Sequence, residues 1–505
     1  MIIIYLLLIL LIILVKIKKK KYLKEFYTNN LDYNLLFKNQ YLICKDVKKN
    51  IFNHKTKFIT KFGYYIYLGD TTNFNCYENG NNKIFIIGFI INPFNYKLNN
   101  LEITKNLCES SNLDVFFKKV QKLSGRFMIY FKLNKNEIIL NDACSSKRVF
   151  YLDNKLFSSS EKILLLYLGR NAKINNKKMD YINSKKFQKN EFKWYDNSAY
   201  DNSINILLPN TYYNINNNNI NRIHFFIPQK DNIDNIDNIA KKISLIIKNS
   251  IKALHYRNKK IILPITGGTD SRVLLSCTKK FKDDINYYIF DNNSLKKTTN
   301  IDSIIANKFS KKFKLKFRNI KITDNKLDKD FEFNFKNNFI IPRIIPKTKN
   351  IEYHYKNNNN KNIININGNY AEVLKEHFDS DRLYTIDNFK DIVIKNNTLL
   401  YIQESIEKFY YSSFKICNKY NIDITNLYHW ELQQGLWGSL FPFEQDIAIE
   451  EFSPFNNREL LLLGLSVDKK YRKKQNEYIL FQKIIQNNWS ELMYQKFNPK
   501  LNEII

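Results

Sequence analysis

The sequence predicts an α/β protein: an amino-terminal α+β part built of short strands, then a parallel sheet flanked by helices, then a helical carboxyl-terminal part. Three observations carry that prediction. From Tyr41 to about Pro228, short runs of β-branched and aromatic residues are broken by Asn, Gly and Asp, the pattern of strands and turns. After Asp231, apolar strand-like runs alternate with helix-like runs, as in a parallel sheet covered on its faces. Between these parts Ile261–Cys277 reads I-I-L-P-I-T-G-G-T-D-S-R-V-L-L-S-C. That is a buried strand, a tight glycine turn and a helix start.

The elements follow in order. Lys61–Gly69, Lys83–Asn92, Gly125–Leu133 and Glu137–Leu140 are strand-like runs, and Asn112–Leu123 has helical spacing of Leu113, Phe116, Phe117 and Val120. Asp231–Tyr256 carries an amphipathic helix with Ile239, Ile243, Ile246, Ile247, Ile251 and Leu254 on one face. Ile285–Phe290 is a second apolar strand, and Asn300–Phe317 is a helix followed by a strand, with Asp302 near the helix start. Asn362–Phe378 contains another strand that meets Asn367–Gly368 before a helix, and Leu399–Tyr420, Leu427–Gly438 and Glu450–Ser466 are helical or apolar.

Composition narrows the classes. The 505 residues suffice for two to three domains with large cores. A hydrophobic content of 44% with 15% aromatics predicts a folded chain. The net charge of +32 would suit a nucleic acid or an anionic membrane. Lys, Asn and Ile are abundant everywhere, however, and the lysines are spread rather than gathered in a motif. AT-rich codon usage accounts for that, and nucleic acid is not the expected partner. The six cysteines include no C-x-x-C pair, and the six histidines include no metal-type spacing, so zinc, redox and disulfide frameworks are not expected. No H-E-x-x-H, G-x-S-x-G, G-x-G-x-x-G or kinase set occurs.

Met1–Val15 is nearly all Ile and Leu, and Lys16 and Lys18–Lys21 follow. The run lacks a basic leader and a small-residue cleavage site. An uncleaved membrane anchor over residues 1–17 is expected, with the body in the cytoplasm by the positive-inside rule. The alternative is a start codon assigned upstream of a soluble enzyme.

The chemistry concentrates at Thr266–Ser271. Gly267 and Gly268 permit positive φ and close approach of a ligand to backbone. Thr266 and Ser271 offer hydroxyls, the amides of the helix start can face an anion, and Asp270 sets a carboxylate where Mg²⁺ would accompany a polyphosphate. It is not a Walker A loop, because no G-K-[ST] follows.

At these residues the chain resembles the ATP pyrophosphatases, whose pyrophosphate loop reads S-G-G-x-D-S, and Arg272 after the loop is similar to the asparagine synthetase branch. Further stretches extend the resemblance. Leu123–Tyr151 is similar to the second half of the glutaminase-like domain, with Asn141–Asp142 and Val149–Tyr151 at matching places. Ile87–Pro93, Leu207–Thr211 and His224–Pro228 resemble a strand, a turn and a junction of the same family. The resemblance implies a glutaminase-like (Ntn-type) α+β sandwich over residues 41–230 and a PP-loop, adenine nucleotide α-hydrolase-like synthetase domain over 231–497. It implies cleavage of ATP between its α and β phosphates with Mg²⁺, activation of a small-molecule or peptide carboxylate as acyl-AMP, and attack by ammonia or an amine.

The resemblance also assigns residues. Thr266, Gly267, Gly268, Asp270 and Ser271 would bind the pyrophosphate, and the backbone of Ile289 and Phe290 the adenine. Asn362–Phe378 resembles S-G-x-G-[GS]-D-E-x-x-x-G-Y, so Asn367 and Gly368 would contact the nucleotide. Glu372 would join Asp270 on the metal, or serve as a first-turn acid of a helix. Asn456 or Arg458 would line the acyl pocket, or Asn456–Asn457 would cap a helix. Lys496 would stabilise phosphate charge, with Lys483 and Lys474 as competitors, and Arg272, directly after the loop, would be the second catalytic residue. The family's amino-terminal cysteine nucleophile is missing, because position 2 is Ile2. A glutaminase-like fold without glutaminase activity is therefore expected, which leaves an inactive membrane-associated nucleotide-binding scaffold as the second functional expectation.

Overall fold

A computed structural model describes residues 38–503 apart from 48–56, 227–234, 292–300, 324, 359–361, 379–384 and 396. The expected anchor, Ile2 and part of the 224–228 junction lie outside these residues. No helix among the described residues is long and apolar enough to cross a membrane.

The protein is mixed α/β, with two antiparallel sheets, one parallel sheet and surrounding helices. The first sheet runs edge to edge Asn205–Ile206, Phe150–Leu152, Leu156–Ser158, Tyr41–Cys44, Tyr64–Leu68, Lys57–Lys61. The second runs Asn219–Arg222, Thr211–Asn214, Asn136–Asn141, Ser124–Leu133, Asn82–Ile91, Phe74–Asn79. Period-two patterning explains their stacking. Tyr41 and Ile43 of the first sheet meet Phe85, Ile87 and Tyr130 of the second in one apolar cluster. The alternate residues Ile84, Ile86 and Ile129 face outward onto Ile103, Leu107, Phe116 and Val120 of two helices.

The run expected as one strand over Lys61–Gly69 is a hairpin instead. Phe62 and Gly63 adopt φ of 54° and 82° and turn the chain between Lys57–Lys61 and Tyr64–Leu68. The helix Asn100–Cys108 was not expected, although Asn99 and Glu102 form a capping box at its start.

The third sheet is parallel throughout, ordered Phe317–Lys321, Ile285–Asp291, Lys260–Pro264, Ile363–Ile366, Glu450–Phe452. Helix Ile236–Tyr256 starts at Asn235, whose side chain accepts from the amides of Asp237 and Asn238. The six residues of its expected apolar face are all buried.

The apolar clusters do not stop near residue 230. Phe89, Ile91 and Cys144 share a cluster with Ile243, Leu263, Trp430 and Phe452. Leu42 and Phe150 share another with Phe389, Ile402 and Leu427. Polar contacts follow the same course. Arg126 grips Asp446 through two bonds of 2.8 and 3.0 Å and reaches Glu450 at 3.3 Å. Arg343 pairs with Glu444 at 2.6 Å and Glu191 at 3.4 Å.

Candidate functional site

The Lys260–Pro264 strand is the middle of the parallel sheet, and its carboxyl end delivers the chain into Thr266–Ser271. The loop folds on its own hydroxyls. Ser271 Oγ accepts from the Thr266 amide at 3.2 Å and lies 2.8 Å from Thr266 Oγ1. Thr266 Oγ1 in turn accepts from the Gly268 amide at 3.2 Å. Helix Thr269–Cys277 begins after Gly268, and no side chain caps it. Its first-turn amides therefore keep the partial positive charge that attracts anions.

Neither loop glycine uses the conformational freedom expected of it. Gly268 has φ of −73°, and Gly267 is not among the residues with positive φ. Space is the constraint at Gly267, where a Cβ would lie 2.6 Å from Ile305 Cδ1. The Gly267 amide donates to Asp302 Oδ1 at 2.8 Å, so the acid expected only near a helix start is a partner of the loop.

Ile289 and Phe290 follow Tyr288, the register partner of Pro264, and so stand level with the loop entrance at the carboxyl end of their strand. Asn367 and Gly368 leave the neighbouring strand on the other side. A Cβ at Gly368 would lie 2.8 Å from that of Asp270, so glycine is required for the two segments to touch. Asn367 and Asn365 donate to the two oxygens of Glu451, each at 2.9 Å. Burial nevertheless pushes the Glu451 carboxyl up to about 7, against those bonds.

Tyr370, at φ of 71°, turns the chain into the short 3-10 helix Ala371–Leu374. That turn sets Glu372 and Lys375 beside Asp270. The Lys375 ammonium lies 2.8 Å from Asp270 Oδ1 and 2.5 Å from Glu372 Oε1. His377 Nε2 lies 3.1 Å from the other oxygen of Glu372, and its ring stacks on His429 at 4.1 Å between centroids. Burial raises the Asp270 carboxyl to about 6, although Lys375 pulls it down. For Glu372 burial also pushes upward, but His377 and Lys375 overcome it and hold the group well below the usual range.

Asp270 and Glu372, the two acids expected to hold Mg²⁺, thus share a lysine. Magnesium that accompanies a polyphosphate is held by one or two carboxylates and completes its shell with phosphate oxygens and water, so the test is whether those carboxylates are free. Among the described residues no group of three or more His, Cys, Asp or Glu is arranged to hold a metal. Both acids of the expected pair already bind an ammonium, and the residues present do not fit a divalent cation.

The remaining expectations divide. The segment around Lys496 does return to the loop. Asn498 donates to the Gly267 carbonyl at 3.1 Å, and Arg272 donates to the carbonyls of Gly267 at 2.9 Å, Lys496 at 3.0 Å and Gln495. The Arg272 guanidinium also faces Phe497 at 4.4 Å. Fully buried and bound to backbone, it ties the carboxyl-terminal segment to the loop and does not face a ligand. The Lys496 side chain is 60% exposed and points to Glu503, while Lys483 pairs with Asp237 at 3.1 Å and Lys474 is exposed. Lys375 is the lysine whose ammonium stands at the loop.

Asn456 and Arg458 are buried, with their side chains bonded within the protein. Asn456 bridges the Gly125 carbonyl and Cys144 amide, and Arg458 bonds Asn210 and the Asp142 carbonyl. The helix cap is Asn457, which accepts from Leu460.

No protein-family model matches the chain, and no curated protein matches it.

Proposed function

We propose that the chain is an asparagine-synthetase-like, AMP-forming ligase. Residues 41–230 would be a glutaminase-like Ntn-type sandwich lacking the glutamine nucleophile, and 231–497 a PP-loop synthetase domain. One observation supports this above the others: an uncapped helix start, flanked by the Thr266 and Ser271 hydroxyls, lies at the carboxyl end of the central parallel strand. Anions bind at such helix starts, and ligands of open α/β sheets bind at such strand ends.

In this reading a carboxylate oxygen attacks the α-phosphorus of ATP, and the bond from that phosphorus to the α–β bridging oxygen breaks. Pyrophosphate departs with the electron pair toward the loop hydroxyls and the first-turn amides. Ammonia or an amine then attacks the acyl carbon, AMP leaves with its oxygen, and the nitrogen loses a proton to water. The backbone at Ile289–Phe290 would flank the adenine, and Gly368 would hold Asp270 in place. A second reading, nucleotide binding without turnover, is favoured by the Asp302 carboxylate already held on the Gly267 amide.

One assay separates the two: AMP and pyrophosphate formation from ATP with a panel of carboxylates and ammonia. The ligase reading expects both products in equal amounts and a loss of about 100-fold or more in Asp270→Ala. ATP bound without turnover selects the second reading, and neither binding nor turnover overturns both.

A further inference from the structure

The cation between Asp270 and Glu372 has a housing of its own. Lys375 is nearly buried, at 8% side-chain exposure, while Asp270 and Glu372 keep 25% and 37%. Behind the ammonium stand two aromatic rings, Tyr478 at 5.0 Å and Phe481 at 5.7 Å from Nζ. Ring faces attract an ammonium but offer no oxygen to magnesium. The housing is also costly to build. Glu477 and Tyr478 both adopt left-handed φ, 49° and 53°, a conformation that non-glycine residues rarely take. That turn starts helix Ile479–Trp489, which carries Phe481. On the other flank Gly368 allows the segment bearing Lys375 to touch Asp270.

We propose that Lys375 permanently takes the place of the divalent cation at this site, so that the loop binds the polyphosphate of ATP without a metal ion. The inference rests on the reading of Thr266–Ser271 as a pyrophosphate loop. An ammonium has three N–H donors on a flexible stem. The two carboxylates aim the group through Asp270 Oδ1 at 2.8 Å, Asp270 Oδ2 at 3.1 Å and Glu372 Oε1 at 2.5 Å, and a phosphate oxygen at the uncapped helix start would take over the donor that the two Asp270 oxygens share. The acids then orient a side chain of the same chain, as ligating carboxylates orient a metal, and the tether makes the cation impossible to remove by chelation.

The test is calorimetric titration of the full chain with ATP, in excess EDTA and in excess MgCl₂. The wild type is expected to bind with dissociation constants within about threefold of each other in the two buffers. Lys375→Met is expected to lose about tenfold or more in EDTA and to recover in MgCl₂, because its freed carboxylates can accept the metal. Lys375→Arg, which keeps a cation, should retain most metal-free binding. Wild-type binding that strengthens about tenfold or more with Mg²⁺ overturns the inference and leaves the nucleotide site standing. Undiminished metal-free binding by Lys375→Met does the same. Absence of ATP binding by the wild type in both buffers overturns the loop reading as well. The wild-type comparison needs no variant, so it decides even if Lys375→Met does not fold.

Discussion

Several basic side chains of the molecule lie between two carboxylates, and two of them, Arg126 and Lys375, make an instructive pair. Arg126 lies between Asp446 and Glu450, and Lys375 lies between Asp270 and Glu372. Their surroundings differ. Arg126 and Asp446 are each only 2% exposed and joined by a bidentate grip across two distant parts of the chain. The acids around Lys375 remain 25% and 37% open to solvent and lie beside an uncapped helix start. A planar guanidinium suits a fixed, dry, two-pronged bond. A lysine, whose donors turn on a flexible stem, suits a site that must still receive something. The difference teaches that one cation and two acids can be a rivet or a receptacle, and that water access decides which.

The strongest way to break the comparison is to remove each cation. Arg126→Met strands the buried Asp446 carboxylate beside the part-exposed Glu450 and should cost about 3–5 kcal/mol of stability, read as a shift of the urea midpoint. Replacing Asp446 with Leu in the same variant should recover much of that loss. Lys375→Met should cost less than half as much, because water reaches its acids. Equal costs would put both triads in the structural class.

Glu450 and Glu451 sharpen the contrast, since neighbours on one strand point to opposite faces. Glu450 faces Arg126, whereas Glu451 faces Asn365 and Asn367. The folded Glu451 carboxyl, near 7, binds its proton more tightly than the unfolded one at about 4.3. Its stabilising contribution is complete below the unfolded value and is lost as the pH rises through about 7. Between pH 5 and 8 that amounts to a decline on the order of 3 kcal/mol. Glu451→Gln should flatten it in urea melts at several pH values, and an unchanged slope would assign the decline to other groups.

The smallest effect is expected at Lys496. Its exposed pairing with Glu503 is worth no more than about 1 kcal/mol. Lys496→Ala should leave both stability and pyrophosphate release near wild type, and a large loss of turnover would return the catalytic role to this lysine.

Much of the architecture was legible because it is local. Alternating apolar residues announced the strands, and the Ile239–Leu254 stripe announced the helix beneath the sheet. Thr266–Ser271 could be placed from strand, glycines and helix alone. Lys375 could not, because its distinction lies in contacts with Asp270, Tyr478 and Phe481, far apart in the chain. In a sequence with 80 Lys and Arg residues, nothing about its neighbours sets it apart. At Asn456–Arg458 the sequence left a pocket lining and a helix cap open, and the cap falls at Asn457. Their stretch has a helix-start pattern, and only the tertiary fold shows that their side chains reach back to Gly125, Asp142 and Asn210.

The apolar clusters have a consequence for how the chain is made. Among the described residues, the inner core of the two antiparallel sheets draws on positions up to Ile215, and the outer helix layer of the second sheet on positions up to Phe226. Both can close while the rest is still being synthesised. The cluster on the opposite face of the first sheet cannot be completed then, because Leu42, Cys44 and Phe150 share it with Ile163 and Tyr181 but also with Phe389, Ile402 and Leu427. At about 5–20 residues per second that cluster stays incomplete for on the order of ten seconds or more on the ribosome, and those are the seconds in which the nascent chain is most prone to aggregate.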